Sequence, residues 1–82
     1  MTKEQIQTIL KEKIASEILN LPERKLLVDE PIISSGVIDS FSLVDLAMLV
    51  EDEFGVIIED TELNTDNFDT IQGLAEIIFA RK

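Results

Sequence analysis

Three stretches of this 82-residue chain repeat apolar residues at steps of three and four, and that spacing constrains the fold more than any other feature. In the first stretch Ile6, Ile9, Leu10, Ile14 and Ile18 form one stripe. Thr2 and Gln5 stand at capping-box spacing before it. Asn20-Leu21-Pro22 closes it, because proline disfavours helix at the residue before it. The pattern predicts a helix from Thr2 to about Leu19. In the second stretch Leu43, Leu46, Ala47, Val50 and Phe54 point inward on a helix from Ser40 to Phe54. Asp39 suits its N-cap, and Gly55 suits its C-terminal stop. The third runs to about Ala80, with Ile71, Leu74, Ala75, Ile78 and Phe79 on one face. Asp69 and Gln72 have N-cap and N3 spacing there, and Arg81 and Lys82 suit the negative end of that helix.

The connections are informative too. Residues 20–39 contain Pro22, Pro31, Ser34, Ser35 and Gly36, which break regular structure. They also contain Leu26, Leu27, Val28, Ile32, Ile33, Val37 and Ile38. A solvated linker has no use for so many apolar side chains, so this loop is expected to pack on the helices. Val56-Ile57-Ile58 has no partner strand and reads as a buried loop. Asp60 or Thr61 could cap a short helical turn reaching Asn64. The expected architecture is all-α: a four-helix bundle of three longer helices plus one short helix, with a long apolar loop between helices 1 and 2. It forms a single domain over residues 1–82.

Composition narrows the function. Cysteine, histidine, tryptophan and tyrosine are all absent. Disulfides and thiolate metal sites are thereby excluded, and the usual general base is missing. No catalytic set and no metal site are expected. The net charge is −10. Five bases and six acids lie in residues 1–30, against two bases and eleven acids in residues 31–82. Such a surface repels nucleic acid and anionic membrane, and it attracts basic protein patches. No apolar run is long enough to span a bilayer. The N-terminus shows no signal-peptide pattern, so a cytoplasmic monomer is the simplest expectation.

One motif carries chemistry. Gly36-Val37-Ile38-Asp39-Ser40-Phe41 runs from a loop into the second helix and sets the Ser40 hydroxyl at its N-terminus. Backbone N–H groups and the positive end of the helix dipole make that a good place for a phosphate. Ser40, Val44 and Met48 are spaced by four and lie in a row, with Phe41 beside its start. Asp45, Glu51, Asp52 and Glu53 add charge around and below that row. An apolar strip rimmed by acids suits docking. On spacing alone, the serine also fits a plain cap and the apolar residues also fit a core.

These residues resemble an acyl or peptidyl carrier protein over essentially the whole chain. The likeness rests on the Asp39-Ser40 pair with Gly36 before it, and on Val44-Asp45-Leu46 and Glu51-Asp52-Glu53-Phe54 after it. The resemblance implies that Ser40 bears a 4′-phosphopantetheine, placed there from coenzyme A by a phosphopantetheinyl transferase that recognises Asp39. The arm would hold acyl or aminoacyl intermediates as thioesters and carry them between enzymes of fatty acid, polyketide or non-ribosomal peptide type. The chain itself would be no enzyme. Phe41, Val44 and Met48 would form the apolar part of the docking face, and Asp45, Glu51 and Asp52 would meet basic patches on loading and processing enzymes. Phe41 stands where leucine more often follows the serine, and Ser42 where fatty-acid carriers often have an acid. Both departures point to a free-standing carrier of a specialised pathway. Entry of cargo into the bundle would depend on how fully Leu43, Leu46, Val50, Ile58, Leu63, Phe68 and Leu74 fill it. The alternative from another class is an acidic helical adaptor that binds basic proteins without covalent modification.

Overall fold

Helix α1 spans Lys3–Lys13 and continues into a π-helical turn, Ile14–Ile18. Helix α2 spans Ser42–Phe54, a 3-10 turn covers Asp60–Glu62, and helix α3 spans Ile71–Arg81. This computed structural model describes residues 1–62 and 64–82, the side chain of Asp60 excepted. There is no strand among the described residues. The short helix expected near residues 60–64 takes the form of the three-residue 3-10 turn. Leu63 and a cap by Asp60 lie outside the described residues.

The start of α1 follows local chemistry. Thr2 Oγ1 accepts from the Gln5 N–H at 3.1 Å, and Gln5 Oε1 accepts from the Thr2 N–H at 2.8 Å. That reciprocal pair satisfies N–H groups with no partner inside the helix. At the other end the helix widens. The Leu19 N–H reaches back five residues to the Ile14 carbonyl at 3.0 Å. The wider turn puts both Ile14 and Ala15 in the core and leaves Ile18 half-buried. Asn20 then takes a left-handed φ of 55°, and the chain turns off.

Helix α2 ends as its glycine demands. Gly55 has φ 68° and ψ 20°, and its N–H donates to the Glu51 carbonyl. The start of α2 differs from expectation. Regular helix begins at Ser42, two residues late, because Ser40 and Phe41 form a turn. Phe41 already has helical angles, φ −75° and ψ −31°. Asp39 still caps this turn: its Oδ1 accepts from the Ser42 N–H at 2.8 Å.

For α3 the cap moves by one residue. Thr70, with extended backbone, accepts the Gly73 N–H on its Oγ1 at 3.0 Å. Asp69, the expected cap, instead reaches Ile33 and Ser34 across the chain. The amides of the long loop claim the Asp69 carboxylate, and the cap passes to Thr70.

The core gathers from every part of the chain. Ile6, Leu10 and Ile14 pack with Ile71, Leu74 and Ile78, so α1 lies chiefly against α3. Helix α2 contributes Leu46, Leu49, Val50 and Phe54. Leu49 is an addition to its expected stripe, whereas Leu43 and Ala47 are only half-buried. The long loop acts as a core element, as its apolar content predicts: Leu26, Ile32 and Ile38 are buried. Leu27 of the same loop is exposed. Val56, Ile58 and Phe68 are buried, but Ile57 is turned outward at 67% exposure, contrary to a wholly buried reading of that run. Phe79 is also a correction: it is exposed, with the Lys3 Nζ 5.3 Å from its ring centroid. Among the described residues no polar or charged side chain is buried. The core is therefore held by apolar burial at roughly 25 cal/mol per Å2, with no interior ion pair to offset.

Candidate functional site

Ser40 stands at the exposed turn where the long loop enters α2. Two features of the chain put it there. Gly36, at φ 83°, lets the loop reverse. Ile38, fully buried and bonded through its N–H to the Ile32 carbonyl at 2.7 Å, fixes the chain just before the Asp39-Ser40 pair. Asp39 and Ser40 then emerge into solvent together. Asp39 is occupied with the Ser42 N–H. The Ser34 and Ser35 hydroxyls are likewise committed, to Asp69 and to the Pro31 carbonyl. Ser40 presents its hydroxyl at a helix N-terminus, where the aligned peptide dipoles favour an anion.

The exposed face of α2 begins at this turn. Phe41 is 87% exposed, and Val44 and Met48 are about half exposed. Asp52 follows Met48 by one turn, and Glu51 follows Val44 by two, so all four share a side of the helix. Asp45, Glu51 and Asp52 are exposed. Part of this face is a wall of a groove of about 340 Å3 between α2 and the π-helical turn. Asp45, Met48 and Asp52 line it together with Glu17, Ile18 and Leu49. Phe41, Val44 and Glu51 lie outside the groove. Glu53 also lines it and pairs with Lys13 at 3.3 Å.

Glu17 and Ile18 are missing from a reading of α2 alone, because they reach this groove only through packing. Ile57 also escapes it. Three β-branched residues in a row carry no signal for which one turns outward.

Together the helices and the exposed Ser40 define a class of protein: a small helical bundle that displays a serine at the entry of an acidic helix. The comparisons agree with that class. The family described as "Phosphopantetheine attachment site" matches residues 9–78. The acyl carrier protein of Petrotoga mobilis (strain DSM 10674 / SJ95) is 41% identical over 63 residues, which is 77% of this chain and 73% of that protein. No solved structure matches significantly. The chain belongs to the phosphopantetheine-attachment family, that of the acyl carrier proteins. It is a carrier rather than a catalyst, and its cofactor is covalently attached 4′-phosphopantetheine. No helix among the described residues is long and apolar enough to cross a membrane.

Proposed function

We propose that Ser40 is the attachment point and that this chain carries acyl or aminoacyl cargo between biosynthetic enzymes. The observation that carries this reading is the exposed Ser40 hydroxyl at the turn into α2, inside the matched residues 9–78. The residues suit the group: an exposed hydroxyl to receive the phosphodiester, and a helix N-terminus to favour its charge. When bound, the group supplies a thiol that holds cargo as a thioester. This chain's own residues present it.

Asp39 serves twice on this reading. Its carboxylate holds the turn through Ser42, and its exposed edge is available to the transferase that recognises the pair. Phe41, Val44 and Met48 give partners an apolar strip, and Asp45, Glu51 and Asp52 meet their basic patches. Such a small charged interface suits fast, weak, salt-sensitive docking with several enzymes in turn. Modification draws on coenzyme A, which sets this role in the cytoplasm.

Intact-mass spectrometry tests the assignment. The protein and its Ser40→Ala variant are incubated with coenzyme A, magnesium and a broad-specificity phosphopantetheinyl transferase. A gain of one phosphopantetheine on the wild type alone is the expected result. A gain on Ser40→Ala overturns the site. No gain on either folded protein moves the reading to an unmodified acidic adaptor.

A further inference from the structure

We propose that Asp69 is a positioning residue for the modification at Ser40, because its carboxylate pins the loop that presents the serine. The inference rests on the reading of Ser40 as the attachment point. Asp69 lies in the turn before α3, yet its hydrogen bonds go to the far side of the chain. Oδ1 accepts from the N–H groups of Ile33 and Ser34, each at 2.9 Å. Oδ2 accepts from the Ser34 hydroxyl at 2.5 Å. The Asp69 carbonyl accepts from the Ile32 N–H at 2.7 Å. One residue thus holds three consecutive loop residues. Bonds to an ionised acceptor are stronger than neutral ones. The Ser34 hydroxyl and the Ser34 and Ile33 N–H groups keep the Asp69 carboxyl below its ordinary pKa, against the opposing effect of desolvation.

The held segment is a small ring. Ile38 donates its N–H to the Ile32 carbonyl, Gly36 donates to the Ile33 carbonyl at 3.1 Å, and Ser35 Oγ donates to the Pro31 carbonyl at 2.6 Å. Ile32 and Ile38 root both ends in the core. Ser34, Ser35 and Gly36 are exposed, so burial does little to fix the outer half of the ring. The carboxylate does that work. Asp39 and Ser40 follow the ring at once, so a ring that sways moves the hydroxyl. Thr70 caps α3, which leaves the Asp69 side chain free for this task.

The test is the initial rate of coenzyme A-dependent modification of the apo protein, well below its melting temperature. It compares wild type, Ser40→Ala, Asp69→Ala, Asp69→Asn and Ser34→Ala, with amide exchange measured on the same proteins. Asp69→Ala is expected to lower kcat/KM about tenfold or more, since misplacement remote from the reacting atoms is costly. Its Ile33, Ser34 and Ile38 amides should exchange faster while those of α3 stay protected. Asp69→Asn keeps an acceptor for both N–H groups and can donate to Ser34 Oγ, so its rate should stay within about threefold of wild type. A folded Asp69→Ala modified at the wild-type rate overturns the inference. An Asn variant as slow as Ala also overturns it, because the transferase would then be reading the charge itself. Should Asp69→Ala fail to fold, Ser34→Ala decides: it removes only the hydroxyl contact and should slow modification by about threefold. An unchanged rate sinks the idea. A wild type that is not modified, or a Ser40→Ala protein that is, defeats the Ser40 reading instead and takes this inference with it.

Discussion

The Arg81 guanidinium forks onto the Glu62 carboxylate, and its Nη1 also donates to the Ile57 carbonyl at 3.1 Å. This one side chain ties the end of α3 to the connection between α2 and the 3-10 turn. The Arg81 hydrogen bond, helped by the Glu59 N–H, holds the Glu62 carboxyl down to about 2 from 4.5. A depressed carboxylate contributes stability that is complete above its unfolded pKa and disappears as pH falls through its folded one. The contribution is therefore present above pH 4.5 and lost on the way down to about pH 2. In Arg81→Gln the melting temperature should fall less steeply across that window. Equal slopes in the two proteins would show that the fork is not coupled to folding.

Gly55 closes α2 in the left-handed region, with open space where a Cβ would stand. The cost of a side chain there is backbone strain rather than a clash. Gly55→Ala should lose about 1–2 kcal/mol. Urea unfolding reads this as a lower midpoint at constant m-value. No shift would mean that the turn relaxes at no cost.

Leu46 and Met48 sit two residues apart on opposite sides of α2. Leu46 is fully buried and Met48 is 58% exposed. Leu46→Ala should cost about 3 kcal/mol by leaving a cavity, and Met48→Ala should stay within about 0.5 kcal/mol. Met48→Ala should instead weaken binding to partner enzymes. A stability loss of similar size in both variants would falsify the division of the helix into a buried face and an exposed one.

Seventeen acids face seven bases. Of those bases, Lys13, Arg24 and Arg81 already pair with Glu53, Glu30 and Glu62. The remaining acids repel one another, and salt screens that repulsion within about 10 Å at 0.1 M. Added sodium chloride should raise the melting temperature at neutral pH. A melting temperature indifferent to ionic strength, followed by scanning calorimetry, would count against self-repulsion as a limit on stability.

Much of this architecture is legible along the chain because it is set by near neighbours. The Thr2–Gln5 capping box, the Gly55 stop and the inward positions Leu46 and Val50 each depend on residues within a turn or two. The apolar content of residues 20–39 likewise announces a loop that packs, and Leu26, Ile32 and Ile38 do pack. The exposure of Phe41, Val44 and Met48 follows from the same periodicity once the other side of α2 is buried. Ile57 and Phe79 do not follow it. Each is apolar at a position that reads as inward, yet each faces out, while its neighbours Val56 and Ile58, or Ile78, take the buried positions.

The sequence by itself determined that the chain is helical, which faces are apolar, where acid accumulates and where a serine meets a helix start. Those properties reside in spacing and composition, which a linear chain carries whole. Tertiary structure alone decided where particular polar groups are spent. Asp69 and Thr70 can both cap α3, and Thr70 does so because the amides of Ile33 and Ser34 arrive beside Asp69. Glu53 pairs with Lys13 across the gap between α2 and α1, and Glu17 reaches the groove beside Asp45 and Asp52 because the π-helical turn packs on α2. A carboxylate binds whichever donors folding brings within about 3 Å, and those donors come from parts of the chain that no local pattern links.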